Sequence, residues 1–384
     1  MSLLLRDARV VTGASAEIDR GWVHLADGLV HEAGAGDPPP AVVSAAVDVV
    51  DAREVAGPGA LVTPGLVDIH AHGGGGSAFE DPDAAAAVDR ILGVHAAHGV
   101  TRVVASLVSA APLALEHTIG GLSAAARPGL LGIHLEGPCL DVDHRGAHAP
   151  WALRNPASLD VERLTAAGTL VQITIAPELP GALDLIRAFV AAGVRVAVGH
   201  TGADTATTRR AIAAGATLLT HAFNAMPPLH HRAPGRVGAA LADEAMTLEL
   251  IADGTHVDPS LFAPLFRAAP GRIALVSDAM AAAGSPDGDY RLGDLAVTVS
   301  GGIARLRDTD TIAGSTLTLD RAVRGVVAAG VPLVDAVAAA TRVPAGAIGR
   351  DDLGLLQPGC RGDAVLWSED LEPVAVWRDG IRLS

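Results

Sequence analysis

Eight apolar segments alternate with alanine-rich stretches along the middle of the chain, and this alternation restricts the fold more than any other feature. The segments have the length of buried strands, and the stretches between them have helical composition. The apolar segments are 61–72, 101–109, 130–138, 171–178, 194–201, 216–225, 247–257 and 272–280. Eight βα units within roughly 270 residues match the size of a (β/α)8 TIM-type barrel.

A doubly wound open sheet would produce the same alternation. That fold binds dinucleotides through a glycine-rich turn after its first strand, and the glycines of 73–77 lack the required spacing. We therefore predict an α/β barrel. Residues 285–315 indicate a hairpin inserted after the eighth strand.

Both ends of the chain contain short alternating segments that are broken by glycine, aspartate and proline, a pattern typical of strands and turns. We predict that residues 1–60 and 345–384 form one small β-sandwich domain, and that 61–344 form the hydrolase barrel. The alternative is that each end adds a separate hairpin to the barrel.

Charge and composition exclude several classes of function. The net charge of -15 argues against nucleic acid or an anionic membrane surface as a partner. The sequence contains no lysine, which excludes a Schiff base, a lysine general base and a lysine-derived bridge between metals. Two cysteines make no disulfide framework and no apolar run approaches 18 residues, so we expect a soluble cytoplasmic protein.

Polar residues stand at the ends of the predicted strands, where the loops of a barrel converge on one mouth. His70 and His72 leave the same face of the first strand and suit two nitrogen ligands of one divalent ion. A pair of solvated or packed histidines is the alternative for this motif alone. The later strands end in Glu136, His200, His221, His256 and Asp278.

Histidines and carboxylates at matching strand ends can hold one or two divalent ions with an open position for water. Such an ion lowers the pKa of bound water and polarises a carbonyl group. Asp278 is best placed to take a proton from water and give it to a departing amine, as amide hydrolysis requires. Because lysine is absent, Glu136 is the candidate for a bridge between two metals.

Several motifs together resemble those of the N-acetylglucosamine-6-phosphate deacetylases, a family of the metal-dependent amidohydrolase superfamily. They are HAH at 70–72, HLEGP at 134–138, APE at 176–178, GHT at 199–201, HAFNAMPPLHHRAPG at 221–235, IADGTHV at 251–257, SDAM at 277–280 and AGSTLTLDRAV at 313–323. The resemblance runs over nearly the whole chain. It implies hydrolysis of N-acetyl-D-glucosamine 6-phosphate to D-glucosamine 6-phosphate and acetate, in amino-sugar catabolism and cell-wall sugar recycling.

The resemblance also implies roles for individual residues. Glu136, His200 and His221 would hold the main metal, for which we expect zinc, and Asp278 would be the catalytic acid/base. The residues that would contact the sugar phosphate are Asn224, Ala225 through its backbone, Arg232 and His256.

Family members differ in whether they keep the first-strand histidines, and this sequence keeps His70 and His72, so we favour a second metal there. The residue matching Arg232 reaches the neighbouring subunit's site in the family, which implies a homodimer, and His231 beside it is a candidate contact. His148 is a candidate for facing the sugar. Cys139 is either a small core residue or a reactive thiol near the metal.

Two other functions stay open from the sequence. The first is an amidohydrolase that acts on another N-acyl or cyclic amide with the same metal chemistry. The second is a barrel without catalysis that serves as a binding or scaffold subunit. Loss of a ligand would favour the second, and none of the expected ligands is missing.

Overall fold

The computed structural model describes residues 2–14 and 17–384 of the chain. Its centre is an eight-stranded parallel sheet in which each strand pairs with the next one along the chain. The strands are Leu66–Ala71, Val100–Leu107, Leu130–Glu136, Leu170–Ile175, Arg195–Val198, Leu218–Leu219, Thr247–Ile251 and Ile273–Val276. Each lies within a segment predicted from its apolar run or within one residue of it. The predicted α/β barrel is confirmed.

The segment that follows the eighth strand closes the barrel. The Asp278 backbone N–H donates to the His70 carbonyl at 2.8 Å, and the His72 N–H donates to the Ala279 carbonyl at 2.7 Å. These bonds bring the last strand to the first at the mouth of the barrel. Asp278 is therefore held beside the two histidines of the first strand by the backbone itself.

Helices cover the outer face of the barrel. They are Ala84–Ala97, Pro112–Ala124, Val161–Ala167, Ala182–Ala191, Thr205–Ala213, Gly235–Leu241, Phe262–Ala268, Leu319–Ala328, Leu333–Ala340 and Arg342–Ala347. Short 3-10 turns lie at Val142–His144, Pro150–Ala152, Pro156–Ser158 and Pro259–Leu261. Within residues 2–14 and 17–384, no helix combines the length and the apolar character needed to cross a membrane.

The helix Ala84–Ala97 shows why these segments form. The Asp83 carboxylate accepts a hydrogen bond from the Ala86 N–H at 3.1 Å, so Asp83 provides the N-terminal cap. Val88 and Ile91 are fully buried against the barrel. Burial of a side chain of that size contributes about 1.5–3 kcal/mol, which holds the helix on the sheet.

Both chain ends contribute strands to a second sheet, which confirms the expected β-rich region built from both termini. Its strands are Ser2–Val11, Glu17–Ala26, Leu29–Ala35, Asp48–Asp51, Leu61–Pro64, Ala364–Trp367, Pro373–Arg378 and Ile381–Arg382. Two short helices, Pro40–Ala45 and Ala52–Ala56, lie within the same N-terminal stretch. The strand Ala364–Trp367 pairs antiparallel with Leu61–Pro64, and Trp367 donates through Nε1 to Thr63 at 2.8 Å.

The insertion after the eighth strand has three strands rather than the two of the predicted hairpin. Gly288–Leu292, Leu295–Ser300 and Ile303–Leu306 form an antiparallel sheet with its own small apolar core. The third strand has only four residues, one of them an arginine, so its sequence is too short to show the apolar alternation that identifies a strand. A two-stranded turn, Gly73–Gly74 and Ser77–Ala78, follows the first barrel strand.

Candidate active site

A cavity of about 300 Å³ opens at the mouth of the barrel, and most of the polar residues predicted at strand ends line it. They are His72, Glu136, His200, His221, His256 and Asp278. His70 lies just below this cavity and is fully buried. The structure therefore brings all seven predicted strand-end residues to one place, since His70 Nε2 is 3.3 Å from His72 Nε2.

Three of these residues have an unusual backbone. His200, His221 and Asp278 have φ angles of 49°, 28° and 49°, in the left-handed region that side chains other than glycine rarely adopt. Each stands two residues beyond the end of its strand. Such conformations cost about 1–3 kcal/mol each and are concentrated at functional sites, where the surrounding structure enforces them.

The Glu136 carboxylate is the centre of the site. Its Oε1 lies 2.9 Å from His200 Nε2, 3.0 Å from His221 Nε2 and 3.6 Å from His70 Nε2. Its Oε2 lies 3.2 Å from His72 Nε2. One carboxylate therefore contacts the imidazoles of the first, fifth and sixth strands, as expected of a group that could bridge two metal positions.

Hydrogen bonds behind two of the imidazoles fix which nitrogen carries the proton. His200 donates through Nδ1 to the His144 carbonyl at 3.0 Å, and His70 donates through Nδ1 to Glu249 at 3.0 Å. In the neutral form of each ring, the Nε2 lone pair then points into the site. This is the orientation that metal-binding histidines adopt, with the outer nitrogen held by a carbonyl or a carboxylate.

His148 is oriented the opposite way. Its Nδ1 accepts a hydrogen bond from the Ser109 backbone N–H at 3.1 Å, so the proton of the neutral ring is on Nε2. That nitrogen lies 3.2 Å from Glu136 Oε2 and can donate to it. Although His148 is close enough to Glu136 and His200 to join a metal group, this tautomer makes it a hydrogen-bond donor rather than a ligand.

The site holds more negative charge and more lone pairs than its own residues balance. Burial lowers the pKa of His200 to about 4, because the attraction of Glu136 offsets burial only in part. The neutral His200 Nε2 and the Glu136 oxygen at 2.9 Å are then two acceptors facing one another. No arginine is among the described residues that line the cavity. A divalent cation between these atoms would satisfy both, so the donor set fits a metal ion.

The two histidines of the first strand show the same demand for positive charge. Burial alone would lower the pKa of His70, but the charges of Glu136, Asp278 and Glu249 outweigh burial and raise it well above the ordinary value. Burial also lowers the pKa of His72, but the hydrogen bonds to Asp278 and Glu136 outweigh burial and raise this pKa to about 9. The neighbouring carboxylates favour the protonated form of both imidazoles, and a bound cation would displace those protons.

The cavity also contains four of the residues predicted to contact substrate: His148, Asn224, Ala225 and His256. Asn224 donates through Nδ2 to the carbonyls of His221 and Ala222, both at 3.2 Å. His256 donates through Nδ1 to Asp253 at 2.7 Å. Burial lowers the pKa of His256, but the bond to Asp253 outweighs it and the pKa is raised, which favours a cationic ring facing the cavity.

The structure does not bring His231 and Arg232 into this cavity. Both side chains are exposed, on a loop that begins at the sixth strand and continues to the helix Gly235–Leu241. The His231 ring lies against His230 with 4.3 Å between centroids, and Leu229 beside them is 46% exposed. Within one chain, these two residues are therefore not among those that line the site they were predicted to serve.

Two residues of the site were missed by the sequence reasoning. Glu249 is fully buried and accepts hydrogen bonds from His70 Nδ1, from Gln172 Nε2 at 2.8 Å and from the His221 N–H at 3.3 Å. Asp253 holds His256. The sequence alone could have identified Glu249. It is the single carboxylate inside the apolar strand Thr247–Ile251, and a buried carboxylate needs hydrogen-bond donors within the barrel.

Comparisons with known proteins agree with this geometry. The chain matches the amidohydrolase family over residues 61–382. An N-acetylgalactosamine-6-phosphate deacetylase of Escherichia coli O157:H7 is 36% identical over 99% of each chain, and an N-acetylglucosamine-6-phosphate deacetylase of Vibrio furnissii is 36% identical over 83% of this chain and 81% of its own. A solved structure of a mutant N-acetyl-D-glucosamine-6-phosphate deacetylase of Mycobacterium smegmatis, in complex with N-acetyl-D-glucosamine-6-phosphate, is 42% identical with a TM-score of 0.91 and covers 100% of this chain and 99% of its own.

A parallel barrel with imidazoles and carboxylates gathered at its mouth around a place for a cation defines a hydrolase of the metal-dependent class. The chain belongs to the amidohydrolase family. The relationship predicted from the motifs is thereby confirmed.

Proposed function

We propose that this protein removes the acetyl group from N-acetyl-D-glucosamine 6-phosphate by hydrolysis, giving D-glucosamine 6-phosphate and acetate. The observation that supports this most is the Glu136 cluster with Asp278 beside it, in an amidohydrolase whose relatives are sugar-phosphate deacetylases. Asp278 Oδ1 is 3.3 Å from His72 Nε2, so a carboxylate borders the place where water and amide would meet.

In this proposal Glu136, His200 and His221 would hold the main divalent ion, zinc in our expectation, and His70 and His72 would hold a second one together with Glu136. When bound, such an ion activates water and polarises the amide carbonyl. Asp278 then accepts the proton of the attacking water at its carboxylate and returns it to the amine nitrogen, because an amine leaves only in protonated form.

The remaining residues position the sugar phosphate. His256, kept cationic by Asp253, and the backbone of Ala225 face the same cavity as Asn224. His148, with its Nε2 proton directed at Glu136, holds that carboxylate and borders the place of the sugar.

A homodimer completes the site. Arg232 and His231, which are exposed in one chain, reach the phosphate in the partner's cavity, where a guanidinium offers two parallel donors to a phosphate. The exposed Leu229 on the same loop supports a contact surface there.

N-Acetyl-D-galactosamine 6-phosphate is a second candidate substrate, because the relative from Escherichia coli O157:H7 is named for it and covers the whole length of the chain. The two sugars differ only in the orientation of the C4 hydroxyl. Leu292 and Thr311 also line the cavity and are our candidates for contact with this hydroxyl.

An acetate-release assay tests the proposal. The purified protein is compared on the two N-acetylhexosamine 6-phosphates and on N-acetylglucosamine without phosphate, after treatment with a chelator and after restoration of zinc. We expect kcat/KM to be highest for the glucosamine derivative, to fall strongly without the phosphate, and to depend on the restored metal. Faster hydrolysis of a different N-acyl or cyclic amide would contradict the proposal.

Mixing two defective variants tests the shared site. Arg232→Ala chains keep Asp278, and Asp278→Asn chains keep Arg232, so a mixed dimer contains one complete site. Co-expression should therefore yield more activity at low substrate concentration than the two variants assayed separately. Equal activity in both cases would refute the contribution of Arg232 from the neighbouring chain.

A further inference from the structure

A second cavity, of about 440 Å³, opens at the opposite end of the barrel from the active site. Arg195 and Thr247, which line it, are the first residues of the fifth and seventh strands, and Thr217 directly precedes the sixth. Its other wall is the helix Arg342–Ala347 and the loop that follows. The length of the barrel strands therefore separates this cavity from the metal residues, which lie at the other ends of the same strands.

The charged residues around this cavity are predominantly basic, in a protein whose net charge is -15. They are Arg195, Arg342, Arg350 and Asp351. Arg350 is already paired, since its Nε and Nη2 donate to Asp352 at 2.7 and 2.8 Å. The remaining two arginines carry the argument.

Arg195 and Arg342 have donors that the protein does not use. Arg342 donates through Nε to the Gly13 carbonyl at 3.1 Å, and its two terminal nitrogens have no partner among the described residues. The Arg195 side chain forms no hydrogen bond or ion pair with any residue that the structure describes, and both Arg195 and Arg342 are exposed to solvent. Both guanidinium groups border the same cavity and carry the same charge, so an anion that entered the cavity would be attracted by each of them.

Two further features of the cavity lie close to these donors. The hydroxyl of Thr217 is buried and has no hydrogen-bond partner in the described part of the chain. Gly349 has a φ of +78°, and a Cβ on it would stand 2.9 Å from Arg195 Nη2. Glycine at this position therefore leaves room for the Arg195 guanidinium against the backbone at the end of the helix.

We propose that this cavity binds a small polar molecule that carries a phosphate group, held by Arg195 and Arg342. Guanidinium groups match the geometry of phosphate oxygens with parallel hydrogen bonds. Thr217 supplies a further polar contact, and the volume is within the range of cavities that bind small molecules. No histidine, glutamate or cysteine is among the described lining residues, so this is a binding site and not a second catalytic centre.

Calorimetric titration with inorganic phosphate tests the proposal. The full-length protein carries Arg232→Ala in every sample, so that phosphate bound at the proposed substrate site does not obscure the second cavity. Arg195→Gln should weaken phosphate binding at least about tenfold, because hydrogen bonds to a charged group contribute that much. The matched control is Arg209→Gln, which removes an exposed arginine on the helix Thr205–Ala213 and should leave binding unchanged.

The outcomes separate clearly. Binding that Arg195→Gln weakens and Arg209→Gln does not supports the cavity site. Absence of phosphate binding in the Arg232→Ala protein, or equal binding by both variants, overturns it. Because Arg195 has no partner among the described residues, its substitution should not disturb the fold, and a thermal unfolding curve checks this. Deacetylase activity does not enter the measurement, so failure here would leave the proposed function untouched.

Discussion

Two buried clusters of charge lie in different parts of this molecule, and they differ in whether they balance themselves. In the first, Arg102 joins Asp363 and Asp379 where the barrel meets the strands of the C-terminus. In the second, at the mouth of the barrel, Glu136 and Asp278 face imidazoles alone. The first cluster is complete without any added group, whereas the second has a donor set that could hold a cation. A completed buried network is structural, and an incomplete one indicates a site.

The contacts of Arg102 show what completion means. Its Nε and Nη2 donate to the two oxygens of Asp363 at 2.7 and 2.9 Å, Nη2 also donates to Asp379 at 2.7 Å, and Nη1 donates to the Pro128 carbonyl. Burial lowers the pKa of Arg102, but these carboxylates outweigh burial and raise it. The network connects the second barrel strand with the C-terminal strands, so its loss should lower the free energy of unfolding.

Substitution at the incomplete cluster should have the largest effect on catalysis. Asp278→Asn removes the group that transfers the proton, so turnover should fall by about 10²–10⁴-fold while the fold and metal content are kept. Steady-state acetate release and elemental analysis measure both. Asp310→Asn, which changes another carboxylate at the same cavity, is the control and should keep most of its turnover. An Asp278→Asn protein with a normal rate would remove Asp278 from the mechanism.

The complete cluster should respond in the opposite way. Arg102→Met leaves the buried Asp363 carboxylate without its ion-pair partner, whereas Asp379 keeps its pair with Arg361. The free energy of unfolding should therefore fall by about 3–5 kcal/mol. Urea denaturation measures this loss, and turnover per folded molecule should be unchanged. Arg127→Met is the control, because it breaks an exposed pair with Asp89 and should not shift the midpoint measurably. Equal stability of the two variants would contradict the structural role of Arg102.

Glu249 shares features of both clusters. Its carboxylate has hydrogen-bond donors within the protein, and one of them is the site residue His70. Glu249→Gln weakens the group that orients His70, so the affinity for the second metal ion should fall by about 10–100-fold. Zinc titration of chelator-treated protein measures it, with Glu244→Gln, an exposed carboxylate, as the control. Unchanged affinity would mean that His70 does not bind the metal.

The smallest expected effect concerns Cys139, which is fully buried near the site. Burial raises the pKa of its thiol to about 12, so almost none is in the reactive thiolate form at neutral pH. A thiol reagent should therefore modify only Cys360 in the native protein and both cysteines in urea. Rapid labelling of a native Cys360→Ser protein would show instead that Cys139 is reactive. The sequence alone leaves this alternative open.

Local patterns were sufficient to predict much of the barrel and its site. Each strand is an apolar run, and six of the eight runs end in a polar residue that was singled out, so the positions of Glu136, His200 and Asp278 at one mouth could be predicted without knowledge of distant contacts. The contacts that were not predicted join residues far apart in the sequence. Arg102 and Asp363 are 261 residues apart, and Glu249 and His70 are 179 residues apart. No local pattern can pair them.

The tautomer and backbone conformation of the site residues could not be predicted from the sequence either. The tautomer of His148 depends on the backbone N–H of Ser109, 39 residues before it, and this contact makes it a donor to Glu136 rather than a ligand. The left-handed backbone of His200 and Asp278 is imposed by tertiary structure against local preference. The homodimer, the metal identity, the cytoplasmic location and the domain boundaries stay predictions.

Divalent cation binding tests the contrast between the two clusters most directly. Chelator-treated wild-type protein, His200→Ala and Arg102→Met are titrated with zinc by calorimetry in buffers of different ionisation enthalpy. We predict that the wild type binds zinc and releases protons, that His200→Ala loses the tightest binding, and that Arg102→Met, although less stable, binds as the wild type does. Absence of zinc binding by the wild type, or binding that His200→Ala leaves unchanged, would contradict the account.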